Sequence, residues 1–249
     1  MINLLRRVRQ SIIGSNKAMN YLLYALGEFV LIVAGILMAL QINNWNEENN
    51  SRHVERQLLL GLKEELVTNK KELGVTLFQH QRALRSLTQV IELFGQQNKP
   101  PPEVMDSLIQ RTFQVAIYTF TPRTGQLKSM INTGNIIHLQ NQSLAAELSN
   151  LQDFMIEVTE THQPVHKIWH DYVSPLYNQY IQWGTYHSSY LPGKRIQQDF
   201  EGFFNDQEIE RWLPHAWLWT NNIVHEEKSL MDYFEGLIVT VEEELLRGT

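Results

Sequence analysis

Cysteine is absent from the 249 residues, which excludes disulfide staples, thiolate metal ligands and anchoring through a lipidated N-terminal cysteine. Proline is absent until Pro100, and between Asn43 and Pro100 glycine occurs only at Gly61, Gly74 and Gly95. A helix begun early in the chain therefore meets no residue that removes a ladder hydrogen bond before Pro100. Acidic side chains are missing before Glu28, which is also the only charged residue between Leu22 and Ile42. No convincing strand alternation occurs, and no Gly-x-Ser-x-Gly, P-loop or dinucleotide fingerprint is present, so no motif points to an enzyme.

What is present starts with that uncharged run. At about 1.5 Å per residue, Leu22 to Ile42 spans the roughly 30 Å hydrocarbon core of a bilayer. A cleaved signal peptide has a shorter apolar core and an Ala-x-Ala-like site, and neither fits. Arg6, Arg7, Arg9 and Lys17 precede the run, whereas Glu47 and Glu48 are the first charges after it. The positive-inside rule then keeps the N-terminus cytoplasmic. Leu4, Leu5, Val8, Ile12 and Ile13 fall opposite the arginines, as in an amphipathic helix on the inner interface. Tyr21 and Tyr24 on one side and Trp45 on the other are the interface anchors. The reading is residues 1–20 as a cytoplasmic basic segment, 21–42 as a transmembrane signal-anchor, and 43–249 as an exported helical domain.

Glu28 lies within the span, roughly 9 Å below its inner edge. Such a carboxylate snorkels to the interface, or it faces a partner helix or an ion path. Gly27, Leu31, Gly35 and Ala39 recur every four residues beside it, a stripe that permits close helix packing. Membrane lipid, a protein partner and a second copy of the chain are the partners implied. Beyond residue 42 the chain carries 17 basic and 26 acidic side chains, a net charge of −9. That balance disfavours nucleic-acid binding, which needs a cationic surface.

The exported part reads as an all-α antiparallel bundle with one long near-heptad helix. Leu59, Leu62, Leu66, Leu73, Leu77, Leu84, Leu87, Ile91 and Phe94 form its stripe, with Lys70 and His80 at seam positions and a stutter around Lys70. Leu58, Leu60, Val67, Val75 and Phe78 widen that face toward a bundle. Gly95 to Pro102 ends the helix. A shorter helix follows from Glu103 to before Thr121, then a short helix and a Gly134-Asn135 turn. Asn141 or Ser143 caps the next helix, which runs to about Trp183 with irregularity at Pro164 and Pro175. The last helix follows Asp206, is interrupted at Pro214 and ends near Arg247.

Trp169 to Trp219 holds 13 of the 25 aromatic side chains. They read as the core of a proline-bent bundle, with Trp212, Trp217 and Trp219 as the candidate partner or ligand surface. His162, His166 and His170 lie four apart, the spacing that lets imidazoles converge on zinc or copper. Pro164 interrupts that geometry if the helix breaks there, so they read as partly exposed histidines with ordinary hydrogen bonds. No metal or cofactor is expected.

Gly27-Glu28, Gly35-Ile36-Leu37, Ala39-Leu40 and the run Gln41 to Glu47, with Leu127, Gly134-Asn135, Leu139 and Leu144, carry a resemblance. On them the chain resembles an uncharacterised family of short Bacteroidota membrane proteins, a domain of unknown function. The resemblance implies an inner-membrane anchor with a helical periplasmic domain and no enzyme activity. The function expected is a non-enzymatic scaffold or interaction subunit of an envelope complex. The alternative is a periplasmic small-molecule or metal sensor that signals through a partner.

Overall fold

A computed structural model describes residues 16–182 and 198–247. Arg6, Arg7 and Arg9 lie outside the described residues, as do the amphipathic segment around them, Trp183 and the side chain of Lys17. The chain divides into two compact units, Met1–Glu55 and Arg56–Thr249. Among the described residues the secondary structure is helical, with no strand.

Helix α1 covers Asn16–Glu92, as the missing prolines allow. In the first unit its described side chains from Leu22 to Ile42 are exposed or nearly so, Phe29 at 63% and Leu31 at 73% among them. It is the one helix, among the described residues, long and apolar enough to cross a membrane. Beyond residue 56 the buried seam of α1 is Leu59, Leu62, Leu66, Asn69, Leu73, Thr76, His80, Ala83, Leu87 and Val90, with Leu77 and Ser86 buried beside it. The seam's spacing alternates three and four without a break, so the expected stutter at Lys70 does not occur. Asn69, Thr76 and Ala83 carry the seam where an apolar-only pattern skips it. Lys70 instead reaches out to Glu235.

The helix ends where Gly95 takes the left-handed conformation (φ 75°) that side chains with a Cβ resist. Helix α2, Pro102–Thr112, starts on a proline that has no ladder hydrogen bond to lose there. Helices α3, Gln114–Ile117, and α4, Gly125–Asn132, follow, then a 3-10 turn at Asn135–His138 after Gly134 at φ 73°. Helix α5 is Gln142–Ile168, its N-terminus capped by Asn141, whose Oδ1 accepts from the Leu144 amide at 3.0 Å. A π turn, Trp169–Val173, leads into α6, Ser174–Tyr177. Helix α7 is Phe200–Asn205, and α8 is Gln207–Arg247.

The interruption expected at Pro214 is absent, and the irregularity expected at Pro164 does not end its helix. Helix α5 passes through Pro164 and α8 through Pro214. Each proline removes the bond to the carbonyl four residues back, which belongs to exposed Glu160 or exposed Glu210. Water can take that acceptor, while buried Val165 and Leu213 hold the following turn against the core.

Helix α8 runs antiparallel to α1 within the second unit. Arg56 bonds to the Leu245 carbonyl, Lys63 pairs with Glu242, Lys70 with Glu235, His80 with Glu227, and Trp217 donates to Thr88. Helix α5 packs along α8 in the same antiparallel sense, with Asn141 near Glu244 and Glu147 near Tyr233. Two apolar cores result. One gathers Leu62, Leu66, Leu73, Leu148, Leu151, Met155, Leu230 and Phe234. The other gathers Leu87, Val90, Trp169, Tyr177, Phe203, Leu213 and Ile223. The aromatic segment fills this second core, with Phe113 4.7 Å from Trp169 and Tyr177 4.8 Å from Phe203 between ring centres.

Candidate functional site

Between the two cores lies a polar layer. It holds His80 of α1, His162 of α5 and Glu227 of α8, one residue from each long helix, exposed by 0%, 2% and 0%. Each occupies an inward position of its own helix. His80 falls on the three-four seam, His162 one turn beyond Val158, and Glu227 between Ile223 and Leu230.

The Tyr118 carbonyl fixes one proton of His80. Nε2 lies 3.0 Å from the Tyr118 carbonyl, which can only accept, so Nε2 carries hydrogen. Nδ1 lies 2.9 Å from Glu227 Oε2. Burial alone pushes the Glu227 carboxyl up, but the contacts with His162 and then His80 outweigh it and hold the group below its ordinary range.

His162 is less well satisfied. Its Nε2 lies 3.3 Å from Glu227 Oε1 without the alignment of a hydrogen bond. Both of its ring nitrogens, and Glu227 Oε1, have no hydrogen-bond partner among the described residues. The two imidazoles stand edge to face, 5.5 Å between centres. One ligand atom from each of His80, His162 and Glu227 can be chosen so that all three lie within 4.8 Å of one another. These are the residues that could hold a metal ion.

The three histidines of the four-residue spacing do not converge. His162 turns inward and is buried, where a partly exposed residue was expected. His166 lies 3.2 Å from the Thr119 hydroxyl, and partial burial, then the charges of His162 and His80, hold its imidazole below the ordinary value. His170 is exposed, 2.9 Å from the Asp171 carboxylate, in the π turn that begins at Trp169. Beside this turn is a cleft of about 580 Å³ whose walls include Phe113, Ile117, His166 and Trp169.

Trp212, Trp217 and Trp219 are half-buried against the aromatic core, and Leu218 alone of that run of side chains is an exposed large hydrophobe. Trp212 stacks on Tyr172 at 4.2 Å, and Trp217 is tied to Thr88. Leu60, Val67, Val75 and Phe78, expected to widen the packed face of α1, are exposed instead. At 100° per residue they share one side of the helix. In the first unit Glu28, Tyr21, Tyr24 and Trp45 are exposed, and a Cβ on Gly27 or Gly35 would meet nothing within 4 Å.

Glu227 is the member of the buried layer that motif reading misses. Its signal is a charged residue on the apolar stripe of α8, just as His80 is a charge-bearing residue on the seam of α1. Neither has a sequence neighbour that marks it as a ligand. No curated protein and no solved structure matches the chain. Residues 28–158, just over half of its length and including Glu28 and His80, match a family of unknown function, DUF6090, and the chain belongs to that family.

Proposed function

We propose that the chain is a non-enzymatic, inner-membrane-anchored interaction subunit, with its N-terminus cytoplasmic and its helical bundle in the periplasm. The observation that carries the reading is the exposed apolar half of α1, which shares one helix with the bundle's seam. The basic residues before the span and the acidic ones after it supply the orientation. Gly27, Leu31, Gly35 and Ala39 offer a second helix a close approach in the membrane. On the bundle itself, the exposed Leu60, Val67, Val75 and Phe78 offer an apolar surface to a second copy of the chain or to a partner protein.

Gentle detergent extraction at native expression, followed by native mass measurement, tests this. A defined oligomer or a co-purifying protein is expected, and Gly35→Leu should lower the complex mass while the protein still inserts. Glu28→Gln separates the two readings of the acid. If Glu28 snorkels, the complex is unchanged, and if it makes a charged contact, the complex weakens. A strictly monomeric wild type with no partner counts against the proposal. The cleft beside Trp169 supports the second reading, a small-molecule sensor, which instead expects a monomer whose melting shifts with a metabolite.

A further inference from the structure

We infer that His80, His162 and Glu227 form a binding site for one divalent transition-metal ion, of the class that imidazole and carboxylate ligands take, with zinc as its representative. The inference is independent of whether the chain is an interaction subunit or a sensor.

It starts from hydrogen-bond accounting. Burying a polar group without a partner forfeits the hydrogen bonds it made to water. In this layer both ring nitrogens of His162 and one oxygen of Glu227 stand in that position, on side chains that are 97–100% buried. His162 Nε2 and Glu227 Oε1 face each other at 3.3 Å, and His80 Nδ1 lies 2.9 Å from Glu227 Oε2. One ligand atom from each residue lies within 4.8 Å of the other two. Donors on a tetrahedral zinc with bonds of about 2.0–2.1 Å lie roughly 3.3 Å apart, so the three side chains draw together as the ion binds.

The surroundings fit at His80, whereas His162 Nδ1 has no acceptor among the described residues. A ligating imidazole needs its other nitrogen held by an acceptor, which fixes the tautomer and aims the lone pair. The Tyr118 carbonyl does this at His80 Nε2, leaving Nδ1 toward Glu227 and His162. Two neutral imidazoles and one carboxylate form a donor set suited to zinc or ferrous iron. On binding, the ion takes the place of the proton between His80 Nδ1 and Glu227 Oε2, and that proton leaves to solvent. The three ligands come from α1, α5 and α8, so one ion ties the three long helices at the junction of the two cores.

Full-length protein without a polyhistidine tag, extracted in detergent and stripped with a chelator, is the sample to use. Zinc is added back under equilibrium dialysis and measured by elemental analysis. One zinc per chain and a raised melting temperature are expected. Cobalt added to the same stripped protein should give the intense visible bands of four- or five-coordinate cobalt. His162→Gln and Glu227→Gln should each weaken binding by more than the roughly tenfold to 100-fold that loss of an outer-shell partner costs, whereas His170→Ala should leave it unchanged. Circular dichroism shows whether each variant is folded. If one does not fold, the wild-type cobalt spectrum decides by itself. The inference is overturned by stripped, folded wild-type protein that takes up no stoichiometric zinc. Cobalt that keeps its weak six-coordinate spectrum, or binding that survives in folded His162→Gln and Glu227→Gln, also overturns it.

Discussion

At the scale of single residues, burial decides which side chains matter. Tyr177 is fully buried among Phe113, Trp169 and Phe203. Burial raises its phenol, with the Thr112 hydroxyl contact opposing in part. The sign of its effect follows. Its folded pKa lies above the unfolded value, so its contribution is complete below about pH 10 and is lost as pH rises through the folded value. Stability of the bundle should therefore fall as pH passes about 10. Tyr233 adds to the same trend, its phenol raised by burial and by Glu147. Urea unfolding of the wild type and Tyr177→Phe at stepped alkaline pH checks this. The variant should lose part of the decline, and identical slopes would remove Tyr177 as its source.

At the scale of elements, ends are held by polar side chains, some from far along the chain. The N-terminus of α4 has no cap of its own, and Glu65 of α1 accepts from the Gln126 and Leu127 amides at 2.7 and 3.0 Å. Asn69 clamps the same connector through both the amide and the carbonyl of Arg123. Helix α5 is capped locally by Asn141, whose amide nitrogen also donates to Glu244 of α8. Asn141→Ala should cost about 1 kcal/mol by chemical denaturation, with the folded circular dichroism spectrum unchanged. Asn141→Asp should keep most of the cap, and equal losses from both would shift the effect to the Glu244 contact. The ends at Gly95, Gly134 and Asn141 were readable because each depends on one local residue type. The seam of α1 was half readable, since Asn69, Thr76 and Ala83 occupy core positions without looking apolar.

At the scale of the whole molecule, the pairings of α1 with α5 and α8 use residues from Arg56 onward. Removing residues 1–55 should therefore leave a helical protein, soluble without detergent, that unfolds in one cooperative thermal transition. The far-ultraviolet dichroism of the shortened chain and its coincidence with tryptophan fluorescence on heating measure this. Two separate transitions would mean that the two cores on either side of the polar layer unfold independently.

The amino-acid sequence by itself determined the helical class, the uncharged run from Leu22 to Ile42 and most helix ends. These follow from local chemistry, namely apolar length, the missing prolines, and glycine or asparagine at a turn. Tertiary structure alone decided that Pro164 and Pro214 stay inside helices and that Leu60, Val67, Val75 and Phe78 face outward. It also decided that His162 meets His80 and Glu227 instead of His166 and His170. Glu227 is 147 residues from His80, and no periodicity within either helix can report the other. Only the antiparallel register of α1 against α8, set by packing along their length, brings the two side chains to one layer and leaves them buried beside His162.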